Sequence, residues 1–322
     1  MSVAFGLFFD LRNPPQWERS WADHYAETID LAVSAEQRGC RSAWVTEHHQ
    51  FDDGYIPQPL TFLAALAMRT STMRLGTGIV LAALRHPRHI AEEVAIVDLL
   101  SNGRVELGLG AGYVAAEFEM FGADITKRMT TTDAVAAEVR DLLWSGQMKP
   151  PAAQPQVPIW IGYQGPQGAG RAGRLGLGLL APRPDLLEPY RAGLVEGGHD
   201  PAIARMGGLV DLIIASDPER TAQRIAPHAF YQRATYNAAA TATAIKQPDD
   251  ESLARTAAGL RARDKPGTKV VTPDEAQSIL RPIVDGAPIH HLYMWATIAA
   301  MPADTVDEHI DLLFTQVAPA FT

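Results

Sequence analysis

The sequence predicts an α/β protein folded as a (β/α)8 barrel, and three observations support this. Short apolar runs alternate with amphipathic stretches along the 322 residues, and eight such strand–helix units can be counted. Glycine or proline marks many of the junctions between them. Eight units in a chain of this length favour a closed barrel over the alternative, an open doubly wound sheet. We expect one domain spanning residues 1–322.

The predicted strands share short apolar runs, many of them rich in aromatic and β-branched residues. In chain order they cover 3–9, 42–46, 74–81, 105–108, 159–162, 177–180, 209–215 and 290–295. The predicted helices follow these strands and carry helix start or stop signals, such as Gly39 after the first helix and Pro87 and Pro218 at helix starts. They include 21–38, 60–69, 89–100, 131–144, 186–196 and 303–316.

The segment 226–272, between the seventh and eighth strands, is too long for a simple connection. It is rich in alanine and locally helical. Long insertions in barrels often cover the active face as lids, and a segment facing a second subunit is the alternative.

The composition argues against several classes of protein. A net charge of −9 disfavours sequence-independent nucleic-acid binding, which needs a basic surface. The lone cysteine, Cys40, can form neither an intrachain disulfide nor a multi-cysteine metal site, which fits a reducing cytoplasm. The first residues lack the basic segment of a signal peptide, and no apolar run reaches the roughly 18 residues of a membrane span. We expect a cytoplasmic protein that binds neither nucleic acid nor a membrane.

Three ionisable residues, Glu47, His48 and His49, directly follow the second predicted strand. Because the carboxyl ends of barrel strands form the active face, these side chains are candidates for catalysis. A histidine can move a proton, or donate a hydrogen bond to a developing anion, near neutral pH. A capping cluster on a surface loop is the alternative. A metal site is disfavoured, because adjacent histidines diverge and no His-Glu-x-x-His helix is present.

Two glycine-rich segments follow later strands. Gly108, Gly110 and Gly112 alternate after the fourth strand, where they would let a flat group lie against the backbone or would simply thin the strand. The segment 163–168 opens a helix after the fifth strand. Backbone N–H groups at a helix start can bind a phosphate, and an ordinary glycine-rich connection is the alternative.

Several motifs, in one order, resemble the bacterial luciferase-like monooxygenases. They are WVTEHHQF at 44–51, GTGIVL at 76–81, VDLLSNGR at 97–104 and the glycine-rich segment that reaches Gly122. The resemblance covers residues 1–130 well and strands five and eight loosely. It implies a (β/α)8 oxidoreductase that binds a flavin or a deazaflavin.

The resemblance also implies roles for individual residues around the flavin ring. His48 matches the histidine at the flavin's reactive edge, where we expect it to donate a proton or hydrogen bond with support from His49. Gly78-Ile79 matches a bond that is often a cis peptide behind the ring. Gly110 stands where luciferase has a reactive cysteine, so no role that needs a thiol carries over. Glu117 matches an acidic residue near the ring.

The implied phosphate site is Gln164, Gly165 and Gly168, although the luciferase loop is richer in hydroxyl and acidic side chains. Arg128 is a candidate partner of the phosphate, and a surface arginine is the alternative.

Two positions favour FMN over the deazaflavin coenzyme F420. Family members that use F420 tend to have Asp-His where this chain has Glu47-His48, and can have glutamate where it has Tyr113. The resemblance then implies a monooxygenase acting on a small organic substrate with dioxygen and reduced FMN. A flavin reductase would supply the reduced FMN, because no nicotinamide-binding module is evident.

Other functions stay open at this point. The nearest is an F420-dependent dehydrogenase or reductase, followed by a non-catalytic flavin-binding protein. A metal-dependent barrel hydrolase is the least favoured, since we expect no metal. We expect a homodimer.

Overall fold

The structure is a computed structural model that describes residues 3–321. The predicted domain boundaries, 1 and 322, lie outside the described residues. The strands are β1 (Ala4–Phe9), β2 (Ser42–Val45), β3 (Arg74–Thr77), β4 (Val80–Leu81), β5 (Val105–Gly110), β6 (Ile159–Ile161), β7 (Gly178–Leu179), β8 (Met206–Leu209), β9 (Leu212–Ile214), β10 (Lys269–Val271) and β11 (Ile289–Trp295). The α-helices are α1 (Trp21–Gln37), α2 (Pro59–Ala67), α3 (Pro87–Leu100), α4 (Ala115–Met120), α5 (Arg128–Trp144), α6 (Gly165–Arg174), α7 (Leu187–Glu196), α8 (Pro218–Thr241), α9 (Asp250–Arg261), α10 (Pro273–Gly286) and α11 (Ala303–Leu312).

Eight parallel strands close into a barrel surrounded by helices. The hydrogen-bonded order is β3-β2-β1-β11-β8-β7-β6-β5, with β4 continuing β3, and a β3–β5 pairing closes the circle. Phe8 of β1 lies opposite both Trp44 of β2 and Trp295 of β11, so these strands end at the same mouth. The predicted barrel, with strands two and eight feeding one mouth, is confirmed.

Large aromatic side chains fill the barrel interior where glycines leave room for them. A Cβ atom on Gly76 would lie 2.3 Å from the ring of Trp44, and one on Gly178 would lie 2.4 Å from the ring of Trp160. These distances are too short for any side chain, so both strands need glycine there. Trp44 stacks on Tyr293, with ring centroids 4.7 Å apart. Because the interior is packed, a ligand has to bind at the mouth.

The seventh predicted strand, 209–215, is two strands in the structure. β8 ends at Leu209 within the barrel, whereas β9 leaves the barrel and pairs with β10, placing Ile213 opposite Val270. The single-strand prediction was wrong, because an apolar run has the same pattern in a barrel strand and in a buried strand beside it.

The segment 226–272 comprises α8 from residue 226 onward, all of α9, all of β10 and the turns between them. Its β10 is anchored to β9, and α9 packs along α8. Whether it moves as a lid or faces a second subunit stays a prediction.

His309 of α11 joins β9 to the end of β11. Its Nδ1 accepts a hydrogen bond from Ile214 N at 2.8 Å, and Nε2 lies 3.1 Å from Trp295 O, to which it donates. Burial lowers the pKa of His309 to about 4, so the ring is neutral in the folded protein. An unfolded histidine titrates near 6.5.

We expect His309 to make the protein acid-sensitive. Its contribution to the free energy of unfolding is complete above pH 6.5 and is lost as the pH falls toward 4. In this range the histidine of the unfolded chain binds a proton while the buried histidine of the folded protein does not, so protonation favours unfolding. Between pH 7.5 and 5 the wild type should lose about 2 kcal/mol more unfolding free energy than His309→Gln. Urea titrations at both pH values measure this. His89→Gln, at an exposed position, is the control and should behave as wild type; an identical pH dependence in all three proteins would contradict the assignment.

Candidate functional site

Glu47 forms hydrogen bonds that connect the loop after β2 to the segment 81–85 at the barrel mouth. The residue is buried, and its Oε2 accepts from Leu81 N at 2.9 Å, while Oε1 accepts from Arg85 Nε at 3.0 Å. The same Oε1 lies 3.0 Å from His49 Nε2. Both carboxylate oxygens of Glu47 are therefore occupied by hydrogen bonds within the protein. Glu47 positions His49 and Arg85 and does not face a substrate.

His48 is held by Glu117, which lies in the short helix α4. His48 Nδ1 is 2.9 Å from Glu117 Oε1, and the same oxygen accepts from His49 N at 2.8 Å. An ionised carboxylate can only accept, so the proton of the His48 bond lies on Nδ1, which leaves Nε2 for another partner. The sequence therefore predicted both residues at the mouth, but not the hydrogen bond that joins them.

Aromatic side chains surround the His48 ring. Its centroid lies 4.8 Å from that of Phe51, 4.7 Å from Tyr55, 5.7 Å from Tyr113 and 6.2 Å from Tyr236. Tyr236 belongs to α8, and its hydroxyl is 2.6 Å from the hydroxyl of Tyr55. The segment 226–272 thus contributes directly to the surroundings of His48.

Arg12, which sequence reasoning missed, fixes α8 to the mouth. Its side chain is fully buried; Nε donates to Asp53 Oδ2 at 2.7 Å, and Nη2 donates to Thr235 Oγ1 of α8 at 2.5 Å. The guanidinium lies 4.7 Å from the centre of the Tyr55 ring. Asp10 lies next to it, and burial raises the pKa of this carboxyl to about 6. The sequence could have indicated both residues, because Asp10 directly follows β1 and Arg12 is in the same loop, where barrels place functional side chains.

A cavity of about 650 Å³ opens at the ends of several barrel strands, and we call it the strand-end cavity. Its size is typical of small-molecule sites. Its lining includes Phe8, Gly78, Ile79, Gln164, Leu180 and Tyr293. Three of the residues predicted to bind a cofactor, Gly78, Ile79 and Gln164, therefore line one cavity.

The Gly78-Ile79 bond is cis, as the sequence predicted. Two glycines make room for the Ile79 side chain: a Cβ on Gly110 would lie 2.6 Å from Ile79 Cγ1, and one on Gly162 would lie 2.6 Å from Ile79 Cγ2. Gly110, which was predicted to bind the cofactor, leaves space for the side chain of Ile79. It does not itself line the strand-end cavity.

The helix α6 begins at the edge of the strand-end cavity. Gln164 is its N-cap, and no side chain caps the helix. Gly165 has φ +72° and open space around its Cβ position, which suits glycine. Gly168, in contrast, packs against Tyr163, because a Cβ there would lie 2.8 Å from Tyr163 Cβ. A bulky residue at Gly168 would therefore disturb this packing, whatever its effect on a ligand.

Neither arginine near this loop faces the cavity. Arg128 begins α5, and its Nη1 donates to Ile125 O at 3.1 Å. Arg171 forms an ion pair with Asp133 at 2.7 Å, and Tyr163 donates to the same carboxylate at 2.8 Å. Both arginines are absent from the described lining of the strand-end cavity. The structure thus places Arg128 in a local turn contact, and its role as a phosphate partner has no supporting contact.

A second cavity, of about 730 Å³, lies between α8, α9 and the barrel, and we call it the α8–α9 cavity. Leu209, Asp211 and parts of the segment 265–269 line both cavities, so the two adjoin. His48 lines neither; Tyr113 and Tyr236, which contact its ring, line the α8–α9 cavity.

Two kinds of feature are absent from residues 3–321. No helix in that range is both long and apolar enough to cross a membrane. No group of three or more His, Cys, Asp or Glu side chains there is arranged to hold a metal ion.

We expect Glu117→Gln to destabilise the protein. Oε2 of Glu117 is buried without a hydrogen-bond partner, whereas Oε1 is bonded to His48 and His49. If the amide oxygen of the glutamine takes the place of Oε1, its NH2 group takes the place of Oε2 and has no acceptor. The free energy of unfolding should fall by about 1–3 kcal/mol. Urea unfolding measures it, with Glu119→Gln, at an exposed position of the same helix, as control. Equal stability of the two variants would contradict this role.

Comparison with known proteins identifies relatives among flavin- and F420-dependent enzymes. The chain is 31% identical over 181 residues to the oxygenase component of the flavin-dependent trigonelline monooxygenase of Acinetobacter baylyi, which covers 51% of this chain and 50% of that protein. It is 28% identical over 320 residues to the F420-dependent glucose-6-phosphate dehydrogenase of Nocardia farcinica, covering 91% and 93%. The chain spans about half the length of several curated relatives that it matches.

Among solved structures, the monooxygenase RslO1 from Streptomyces bottropensis superposes with a TM-score of 0.77 at 24% identity, covering 99% of this chain and 100% of that one. This similarity supports the fold. The family model described as luciferase-like monooxygenase matches residues 3–279, most of the chain. The protein therefore belongs to the luciferase-like monooxygenase family.

Proposed function

We propose that this protein is a monooxygenase that oxidises a small organic substrate with dioxygen and reduced FMN. The observation that carries the proposal is that one cavity joins the Gly78-Ile79 bond to the start of α6. FMN needs an apolar wall for its flat ring and, at a distance from it, hydrogen-bond donors for its anionic phosphate. This cavity offers both.

The residues around the strand-end cavity fit the two ends of FMN. Phe8, Ile79 and Leu180 offer apolar surface for a ring, and Ile79 is set in place by the glycines behind it. At the other end, the uncapped first turn of α6 has backbone N–H groups, including those of Gly165 and Gln167, that suit a phosphate. Arg183 also lines this cavity, but its guanidinium is paired with Asp185 at 2.6 Å, so the phosphate depends mainly on the N–H groups of α6.

Reduced FMN, when bound, supplies the two electrons with which dioxygen gives one oxygen atom to the substrate and one to water. The protein contributes position, a water-poor setting and a proton. In this proposal His48 donates from Nε2, because Nδ1 is committed to Glu117. His48 is buried and lines neither cavity, so aromatic side chains around it, such as Tyr113 and Tyr236, have to move for His48 to meet a ligand.

A second candidate is an F420-dependent dehydrogenase, which the 28% identical relative favours because it aligns over 91% of this chain. In that case hydride passes between F420 and the substrate, and no oxygen is consumed. We prefer FMN because Glu47 precedes His48 and Tyr113 stands at the mouth, the two positions where F420-dependent members tend to differ.

The cofactor is tested by titrating the purified protein, without oxygen, with reduced FMN and with reduced F420. We expect tighter binding of FMN, and oxygen uptake when a separate flavin reductase keeps FMN reduced in the presence of a screened substrate. Preference for F420 with no oxygen uptake would favour the dehydrogenase. Binding of FMN without turnover of any substrate would favour a flavin-binding protein.

Gln164→Asp tests the phosphate site. A carboxylate at the N-cap should keep or improve helix stability, yet it would repel a phosphate at the same turn. The Kd for reduced FMN should rise roughly tenfold, whereas the Kd for reduced riboflavin, which has no phosphate, should stay the same. Gln164→Asn is the neutral control. If both flavins lose affinity equally, or neither does, the phosphate lies elsewhere.

His48→Ala tests the proton donor. General acid catalysis typically contributes about 10²–10⁴-fold, so turnover should fall at least about tenfold. The change also removes a buried ring and its bond to Glu117, so turnover is measured at a temperature at which circular dichroism shows the variant to be folded. His86→Ala, at an exposed position, is the control. Near-normal turnover in a folded His48→Ala protein would rule out this role.

A further inference from the structure

The α8–α9 cavity is a second chamber that the proposed cofactor site leaves unused. It adjoins the strand-end cavity along Leu209, Asp211 and the segment 265–269. A molecule bound here would therefore lie next to a flavin in the neighbouring cavity.

The lining of this chamber is positively charged. Its cations are Arg233, Arg255, Lys265 and Lys269, and Asp211 is the one acidic side chain in its described lining. Arg255 forms an ion pair with Glu251, but the other three cations have no carboxylate within ion-pair distance among the residues described. Because the whole chain has a net charge of −9, this local excess of positive charge runs against the overall balance.

One buried donor in the chamber has no partner. Gln232 of α8 is 7% exposed, and its Nε2 is buried without a hydrogen-bond acceptor. A buried N–H group without an acceptor is costly, and native structures retain few of them. An acceptor oxygen on a ligand would satisfy it.

The remaining walls are flat or apolar. Tyr113, Tyr236 and Trp295 contribute aromatic surface, and Leu260 contributes aliphatic surface. Asp211 accepts a hydrogen bond from Trp295 Nε1 at 2.7 Å, which orients the indole at the boundary with the strand-end cavity. Such walls suit a planar organic body.

We propose that the α8–α9 cavity binds the substrate, and that the substrate is a flat organic carboxylate. Arg233 and Lys265 attract the carboxylate, Gln232 donates to one of its oxygens, and the aromatic walls hold the planar body beside the cofactor. The role of this ligand as a substrate rests on the proposed monooxygenase function, whereas its binding depends on this chamber alone.

The test uses 4-nitrobenzoate and its neutral analogue 4-nitrobenzamide, with binding followed by quenching of tryptophan fluorescence and by equilibrium dialysis. Without cofactor or substrate turnover, the wild type should bind the carboxylate at least about tenfold more tightly than the amide, and added salt should weaken only the carboxylate. Equal affinities for the two probes would overturn the proposal.

Three variants identify the chamber. Arg233→Gln should weaken 4-nitrobenzoate roughly three- to tenfold, and its matched control is Arg220→Gln, at an exposed position of the same helix, which should not change it. Gln232→Leu should weaken the probe roughly tenfold without lowering the thermal unfolding midpoint, because it removes an unpaired buried group. Asp211→Asn should strengthen binding, because it removes the one negative charge. Unchanged affinity in Arg233→Gln and Gln232→Leu would overturn the proposal.

One further measurement separates this chamber from the cofactor's phosphate site. In Arg233→Gln the ratio of the Kd values for reduced FMN and reduced riboflavin should equal the wild-type ratio; a changed ratio would assign Arg233 to the phosphate and overturn the proposal. Loss of oxygen uptake, by contrast, would count against the monooxygenase function and would leave the carboxylate site standing.

Discussion

The pairing of β3 with β5, Leu75 opposite Val105 and Gly76 opposite Glu106, closes the sheet on itself. Closure makes all eight strands end at one mouth, and every residue of the candidate site depends on that arrangement. Residues 48 and 117, which are far apart in the chain, share a hydrogen bond only because β2 and β5 point the same way. An open sheet would spread these loops along an edge.

Small residues in the strands then shape what the mouth can hold. Gly76 and Gly178 admit two tryptophans to the interior and so fill it. Gly110 and Gly162 receive the side chain of Ile79 and set it in the wall of the strand-end cavity. Close packing therefore explains two of the three alternating glycines, because Gly110 receives Ile79 and a Cβ on Gly108 would lie 2.0 Å from Thr77 O.

The first half of the chain could be predicted well from its sequence because its strands alternate regularly with helices that have clear stop signals. The barrel was predicted from the eightfold alternation of apolar runs and amphipathic stretches, and the cis bond at Gly78-Ile79 from the resemblance of the segment 76–81. The boundary within 209–215 could not be predicted, since leaving the barrel depends on pairing with a strand more than fifty residues away. The six-residue helix α4, which carries Glu117, is too short for a periodic signal.

The contributions of α8 to the site were equally invisible in the sequence. Thr235 and Tyr236 lie in an alanine-rich stretch without a motif, and they reach the mouth because Arg12 and Tyr55 bind them there. Such contacts join positions up to 223 residues apart, which no local pattern records.

The central claim is that one cavity holds the ring of FMN against Gly78-Ile79 and its phosphate at the start of α6. A crystal structure of the protein soaked with FMN tests this most directly. We expect ring density beside Ile79 and phosphate oxygens within hydrogen-bond distance of Gln167 N. A flavin bound with its phosphate away from α6, or with its ring in the α8–α9 cavity, would contradict it.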